Sequence, residues 1–178
     1  MNIYILRHDA ENYRWLEYKG NWFDFFWNLQ DSVPIKEFHE KIICKQIRDK
    51  KERTLGDFPC FVVPALSQNA KNTLGKYFEN LVEIFPLECG KLGQYYFMNV
   101  INVLDCLDEE KSKLEFFDDG RIFKIINYEF KHTLTDFETR IFKIQKKERG
   151  EIYVNEETKN LIETAGLKGF VFEKVGYF

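Results

Sequence analysis

The dipeptide Asp119-Gly120 restricts the fold of this chain more than any other sequence feature. It stands between two runs rich in apolar residues, Leu114–Phe117 and Arg121–Tyr128. An Asp-Gly dipeptide in this position is typical of a β-hairpin, because both central residues of the favoured two-residue turn need a positive φ angle. We therefore expect an antiparallel hairpin in the second half of the chain.

Two further features predict strands. Asn2–Leu6 is a short segment in which Ile3 and Ile5 alternate with their neighbours and so share one face. Arg140–Ile144 and Glu151–Val154 flank a short polar loop that ends in glycine, which predicts a second hairpin.

Helix signals occur at three places. Ser67 precedes a segment whose apolar residues fall on one side of a helix, and Asn155 precedes two glutamates that favour a first helical turn. A third helix is expected after Ser32, because the proline that follows fits a first turn. The apolar positions of the Ser67 helix are Ala70, Leu74, Phe78, Leu81 and Val82. These elements predict an α+β fold, with a mostly antiparallel sheet and two or three packed helices.

The segment Tyr95–Leu107 is a nearly continuous apolar run. Its periodicity is compatible with a buried strand and with a helix, so the pattern alone does not decide between them. Asn99, Asn102 and Asp105 interrupt the run. Because buried polar side chains must be hydrogen-bonded, we expect these three to have a structural role, tying the run to adjacent backbone.

Charge and hydropathy exclude several classes of protein. The formal net charge is -3 and the pI about 5.7, whereas nucleic-acid binders usually carry a basic surface. The start of the chain has no basic region followed by a long apolar core, and no run of about 18 apolar residues occurs. We therefore expect a cytoplasmic protein that binds neither nucleic acid nor membrane.

The four cysteines are Cys44, Cys60, Cys89 and Cys106. None of them forms the closely spaced pair that a zinc site requires, and each stands among apolar residues. We therefore expect free, buried thiols and no metal or other cofactor.

The beginning of the chain carries a possible catalytic motif. The sequence IYILRHD resembles the opening of the histidine phosphatase superfamily, in which a strand leads into Arg-His-Gly and the histidine accepts the phosphoryl group. Here Asp9 stands where that family has glycine, and a carboxylate repels an incoming phosphate. His39 and His132 lack the following glycine of that family's second histidine element. A hydrolase that uses His8 is therefore an alternative function, and the favoured prediction is that the chain is not an enzyme.

Acidic residues are concentrated between Asp105 and Asp119. Paired carboxylates can serve acid–base chemistry or hold a metal, but no EF-hand spacing is present. The commonest interpretation of such a cluster is a solvated turn. A third interpretation is an acidic surface that steers a basic protein partner.

From Phe58 to Val175 the chain resembles the immunity protein 11 family of bacterial polymorphic-toxin systems. The Ser67 helix comes first, and the run YYFMNVINVLDCLD (Tyr95–Asp108) follows it. The element RIFKI (Arg140–Ile144) comes next, and IYVNEETKNLIETAGLKGFVFEKV (Ile152–Val175) completes the order. The run Tyr95–Asp108 and the glycines of the last segment are the most specific parts of the match.

The resemblance implies a protein that neutralises a cognate toxin, encoded nearby, by stoichiometric binding and without catalytic residues. A non-catalytic regulatory interaction module of the same fold is a further alternative. The resemblance also suggests a boundary between an aromatic-rich N-terminal part, residues 1–57, and an immunity-protein-like domain, residues 58–178.

The candidate partner-binding residues come from two regions. The first is the acidic turn, which is expected to speed association with a basic partner. The second is the aromatic-rich stretch that contains Trp22 and Phe26, because interfaces need a few desolvated aromatic side chains. The acidic candidates are Asp108, Glu109, Glu110, Asp118 and Asp119.

Overall fold

The structure is a computed structural model that describes residues 1–20, 31–35, 42–46, 53–131 and 134–177. Within these ranges the chain forms twelve strands, two short α-helices and a 3-10 turn at Gly90–Leu92. The helices are α1 (Gln68–Leu74) and α2 (Glu156–Thr164). The strands are β1 (Asn2–His8), β2 (Leu16–Tyr18), β3 (Cys44–Gln46), β4 (Ala65–Ser67), β5 (Val82–Leu87), β6 (Tyr95–Val100), β7 (Val103–Leu104), β8 (Lys113–Phe116), β9 (Ile122–Asn127), β10 (Lys143–Ile144), β11 (Ile152–Asn155) and β12 (Phe170–Tyr177).

The strands of the described ranges form five small sheets. Strand β1 lies between β11 and β12 in an antiparallel sheet, and β6 lies between β4 and β5 in another. Three two-stranded sheets complete the set: β2 with β3 and β8 with β9 are antiparallel, and β7 with β10 is parallel. Strand β1 therefore joins the start of the chain to its last two strands.

Alternation along β1 places it between two hydrophobic clusters. Ile3 and Ile5 face one cluster together with Tyr153 of β11, which confirms that the two isoleucines share a face. Leu6 faces the opposite cluster, where the β4–β6–β5 sheet and both helices pack. A period of two residues sends successive side chains to opposite faces, so one strand contributes to both clusters.

A third cluster lies on the other face of the β4–β6–β5 sheet. Phe97 and Tyr95 of β6 face it, whereas Met98 of the same strand faces the cluster beside the helices. Leu16 of β2 and Cys44 of β3 cover this third cluster. The molecule is therefore a stack of small sheets, with helices on one side of the β11–β1–β12 sheet and the β8–β9 hairpin on the other.

The predicted α+β fold with packed helices is wrong, because the described chain is predominantly β. The Ser67 helix does begin at its predicted cap, but it ends at Leu74 instead of continuing to Val82. Successive turns then bury Phe78 and Leu81, and Val82 starts β5. Turns and a paired strand can bury the same apolar side chains as a longer helix, and the six-residue pairing of β5 with β6 decides between them.

The other helix predictions had different outcomes. The helix that Asn155 caps is present, and the Asn155 side chain accepts a hydrogen bond from Thr158 N. Ser32 has a φ of 59°, and no helix occurs in the described residues that follow it directly. Residues 36–41 of that prediction lie outside the described part of the chain.

The second predicted hairpin is only partly correct. Phe142 and Tyr153 form an antiparallel bridge with a hydrogen bond in each direction, both 2.9 Å long. However, β10 pairs with β7 in parallel, because Lys143 N donates to Asn102 O and Gln145 N to Leu104 O. Long-range pairing of this kind leaves no local sequence signal.

The apolar run Tyr95–Leu107 becomes two strands, β6 and β7, and its polar residues differ in role. Asn99 is 4% exposed and donates to Val33 O and to the Glu83 carboxylate. Asn102 donates to two carbonyl oxygens in residues 138–141. Asn99 and Asn102 therefore have the structural role that the sequence predicts. Asp105 does not, because it is exposed and pairs with a lysine at the surface.

Candidate partner-binding surface

The β8–β9 hairpin is the element that the Asp119-Gly120 signal predicted, and the structure confirms it. Its turn differs in one respect, since only Gly120 has a positive φ, at 83°. Gly120 N donates to Phe117 O, and Phe117 N donates to Arg121 O. This is a three-residue loop in which glycine alone takes the left-handed conformation, a common hairpin connection.

One face of the hairpin holds it to the body of the protein. Leu114, Ile122 and Ile125 pack into the cluster that also contains Ile3 and Ile5 of β1. Backbone contacts add to this packing, because Ile122 N donates to Lys146 O at 2.8 Å and the Lys147 ammonium donates to Phe123 O at 3.0 Å. The hairpin is therefore fixed on one side and open on the other.

The open face carries aromatic side chains. Phe117 is 49% exposed, Phe123 is 54% exposed and Ile126 is 44% exposed. Phe116 is also 49% exposed, but it pairs with the buried Ile122 and so lies toward the other face. The rings of Phe117 and Phe123 meet edge to face with centroids 5.0 Å apart. The Arg121 guanidinium lies 5.6 Å from the centre of the Phe117 ring. We call Phe117, Arg121, Phe123 and Ile126 the hairpin patch.

Such a patch has physical significance for binding. Large apolar side chains that stand together in water raise the free energy of the isolated protein, and contiguous exposed patches mark interaction sites. Aromatic residues and arginine also supply most of the binding energy at protein interfaces. The patch therefore has the composition of the centre of an interface.

Sequence reasoning missed the patch, although a signal was present. Phe116 and Phe117 are adjacent near the end of a strand, and alternation predicts that two such neighbours do not share a buried face. Phe123 follows Ile122 in the same way, and Ile122 is the buried one. The register of the hairpin therefore predicts that one aromatic side chain on each strand faces outward.

The acidic candidates lie at opposite ends of β8. Asp108, Glu109 and Glu110 belong to the turn before this strand, and Asp118 and Asp119 belong to the hairpin tip after it. The four residues of β8, which lie between the two groups, span roughly 13 Å. The structure thus divides what is one cluster in the sequence into two, and only the second group adjoins the hairpin patch.

Most of these carboxylates have a cation beside them. Asp108 pairs with Lys111 at 2.9 Å, Glu109 pairs with Lys146 at 2.6 Å, and Asp119 pairs with Arg121 at 2.7 Å. Hydrogen bonds from Lys111 lower the pKa of Asp108, and hydrogen bonds from Arg121 lower the pKa of Asp119. Asp108 and Asp119 are therefore ionised at neutral pH, and in all three pairs the neighbouring cation offsets the charge of the carboxylate.

A cleft of about 420 Å³ opens beside the hairpin patch. Phe117, Arg121 and Phe123 form one side of it, and Lys146, Lys147 and Arg149 contribute from the loop that follows β10. Asp31 and Glu148 also line it. The surroundings of the patch therefore have mixed charge and are not uniformly acidic.

The other aromatic candidates, Trp22 and Phe26, lie outside the described residues. Their proposed part in binding stays a prediction.

The histidine that a phosphatase would use is held by packing. The His8 ring stacks on Phe58 with centroids 4.3 Å apart, and its Nδ1 lies 3.4 Å from Phe58 O. Burial lowers the pKa of His8. Arg7 pairs with Glu173 at 2.9 Å, and Arg53 donates to the carbonyl oxygens of Ala10 and Glu11. These contacts hold His8 at the edge of the core, and both arginines bind groups of the protein itself.

The described residues contain neither a candidate metal site nor a candidate membrane span. No group of three or more His, Cys, Asp or Glu side chains is arranged to hold a metal ion there. None of the helices in the same part of the chain combines the length and apolar character needed to cross a membrane.

Comparison with known proteins identifies a family. No curated protein matches the chain. A family model described as the immunity protein family (Imm11) matches residues 82–177, from the start of β5 to the end of β12. The matched region contains the hairpin patch, both acidic groups and α2. Because the match extends over more than half of the 178 residues, the chain belongs to the Imm11 family of immunity proteins.

Proposed function

We propose that the protein neutralises a cognate bacterial toxin by binding it directly, one to one, through the hairpin patch. Membership of the immunity protein family carries the proposal, and the exposed aromatic side chains within the matched region support its location. The toxin is expected to be encoded nearby, and the encounter to take place in the cytoplasm. No catalytic step is needed, since a bound partner blocks the toxin by covering its active site or holding an inactive state.

The proposed binding mode follows from the arrangement of the hairpin. Phe117 and Phe123 form the centre, where partner contact would remove them from water. Asp118 and Asp119 stand at the tip beside them and provide a polar rim. Backbone hydrogen bonds and the buried inner face keep the patch in position before binding, which reduces the entropy lost on association.

The direct test is co-expression of the protein with the toxin domain encoded beside it. Wild-type protein should rescue growth and co-purify with the toxin. Phe123→Ser should abolish both while leaving the protein folded, because the side chain is more than half exposed. Phe137→Ser is the matched control, since Phe137 is also exposed, at 44%, and lies outside the hairpin. Equal loss in both variants, or in neither, would contradict the hairpin patch as the site.

We also propose that the acidic residues steer the encounter with a basic partner, such as a nuclease. Reversal of Glu109, Glu110 and Asp118 to lysine should slow association and weaken its salt dependence. Glu109 already faces Lys146, so a variant that changes only Glu110 and Asp118 avoids creating a pair of like charges. An association rate that is unchanged at low and high salt would rule this surface out.

The alternative of a hydrolase predicts a different result. We expect no turnover of a generic phosphatase substrate by the purified protein. Turnover that disappears in His8→Ala would replace the immunity function with the enzymatic one. A regulatory interaction module would bind a partner without rescuing cells from the toxin.

A further inference from the structure

Two of the free cysteines lie side by side. Ile43 and Glu88 form a parallel bridge, in which Glu88 N donates to Ile42 O at 2.8 Å and Cys44 N donates to Glu88 O at 2.9 Å. Cys44 and Cys89 are the next residues on the two backbones. Facing residues on adjacent strands are separated by about 5 Å, which is inside the range that a disulfide spans.

Burial shows that both side chains point to the same face. Ile43 and Glu88 are exposed, whereas Cys44 is 4% and Cys89 is 5% exposed. Both cysteines belong to the cluster on the outer face of the β4–β6–β5 sheet, and each thiol changes the pKa of the other. The two thiols are therefore neighbours on one face in the reduced protein.

The interaction between the two thiols also makes them unequal in acidity. It lowers the pKa of Cys89, because the Cys44 thiol can donate to a Cys89 thiolate, and it raises the pKa of Cys44. Burial raises the pKa of Cys60 to about 11 and that of Cys106 to about 12. Cys89 is thus the thiol best placed to react as a thiolate.

A surface cleft gives access to this pair. The cleft has a volume of about 970 Å³ and is lined by both cysteines together with Lys19, Lys45 and Lys91. Glu88 contributes a carboxylate, and Lys45 is paired with Glu17 at 3.1 Å. The excess of lysines favours anionic molecules in the cleft.

We propose that Cys44 and Cys89 are an oxidation site, which forms an intramolecular disulfide by exchange with an anionic disulfide of the glutathione type. The Cys89 thiolate attacks one sulfur of the oxidant, forms a mixed disulfide and releases one thiolate. Cys44 then loses its proton and attacks the Cys89 sulfur, which releases the second thiolate. The protein loses two electrons and two protons, and the oxidant becomes two thiols. The product joins β3 covalently to the segment that follows β5.

The experiment uses the full chain and oxidised glutathione as the probe. After equilibration of the folded protein, free thiols are alkylated under denaturing conditions and the products are mapped by mass spectrometry. Two of the four thiols should be lost, in a peptide that joins Cys44 to Cys89. Cys60→Ser and Cys106→Ser are matched controls and should oxidise as the wild type does. Cys44→Ser should stop at a mixed disulfide on Cys89.

The oxidised form should also be more stable. A cross-link that closes a loop of this length typically raises Tm by roughly 5 °C or more in a chain of this size, and a reductant should reverse the rise. Four alkylatable thiols after equilibration with excess oxidant would overturn the proposal. A bond between any other pair, or a Cys44–Cys89 bond found only after unfolding in urea, would overturn it as well. None of these outcomes depends on toxin binding, so the proposal stands apart from the proposed function.

Discussion

The strand pair β1–β11 and the hairpin β8–β9 contain similar residues in very different surroundings. In β1–β11, Ile3, Tyr153 and Val154 are fully buried. In the hairpin, Phe116 and Phe123 stay about half exposed, whereas Ile122 and Ile125 are buried. Both are antiparallel strand pairs rich in apolar side chains, and they differ in whether protein covers both faces. β1–β11 is covered on both, and the hairpin on one.

This difference separates two roles for the same kind of side chain. A covered aromatic side chain contributes to folding stability, because its removal leaves a cavity. An exposed one contributes little to stability and is free to contribute to binding. A substitution in β1–β11 should therefore lower the stability of the protein. A substitution in the hairpin patch should weaken partner binding and leave stability nearly unchanged.

The largest expected effect on stability is at a side chain that packs against the β1–β11 pair. Phe142 is fully buried and stacks on Tyr153, with ring centroids 5.5 Å apart. Phe142→Ala should lower the free energy of unfolding by about 3–5 kcal/mol, because it removes a whole ring from a packed cluster. Urea denaturation of the purified variant measures this. A loss below about 1 kcal/mol would mean that the cluster is much looser than its burial indicates.

The next effect concerns a buried charge on β10. Lys143 of β10 is 7% exposed, and burial lowers its pKa to about 8 from 10.5. Below pH 8 both folded and unfolded chains carry the charge, so its burial destabilises the protein fully. As pH rises from 8 to 10.5 the folded state loses the proton first, and stability increases by about 3 kcal/mol.

The measurement compares wild type with Lys143→Met between pH 7 and pH 10. The difference between them isolates Lys143 from other groups that titrate in this range. As pH rises, the free energy of unfolding of the wild type should increase relative to that of the variant. A constant difference over the whole range would show that Lys143 keeps its proton.

A smaller effect is expected at Asn102, whose side-chain hydrogen bonds join the residue before β7 to the segment before β10. Asn102 donates to Glu138 O at 2.7 Å and to Ile141 O at 2.8 Å. Asn102→Ala leaves these carbonyl oxygens without their donor and should cost about 1–3 kcal/mol. The Tm of the variant gives the size of the loss. If Tm is unchanged but toxin binding is lost, Asn102 belongs to the interface and not to the scaffold.

The smallest effect on stability is expected in the hairpin patch. Phe123→Ala should change the free energy of unfolding by about 0.5 kcal/mol or less, since exposed side chains contribute little. Against the cognate toxin, the same variant should lose at least tenfold in affinity, as residues at the centre of an interface do. Calorimetric titration and urea denaturation on one preparation supply both numbers. A large loss of stability with unchanged affinity would reverse the assigned roles of the two regions.

Local signals in the sequence predicted several elements correctly. The Asp119-Gly120 hairpin, the strand that contains Ile3 and Ile5, and the caps at Ser67 and Asn155 all occur where the pattern indicates. The family resemblance also agrees with the matched model. The hairpin, the strand and the two caps each depend on residues close together in the chain, where backbone conformation and side-chain hydrogen bonds act directly. The boundary proposed at residue 57 stays a prediction.

Only the tertiary structure decided the fold class and the composition of the candidate site. The stripe from Ala70 to Val82 is equally compatible with a long helix, but pairing of β5 with β6 ended the helix early. The acidic cluster is contiguous in sequence, yet β8 extends through it and separates its two parts. The hairpin patch depends on which face of β8 and β9 the rest of the protein covers. Long-range pairing and coverage are set by residues far away in the chain, so no local pattern contains them.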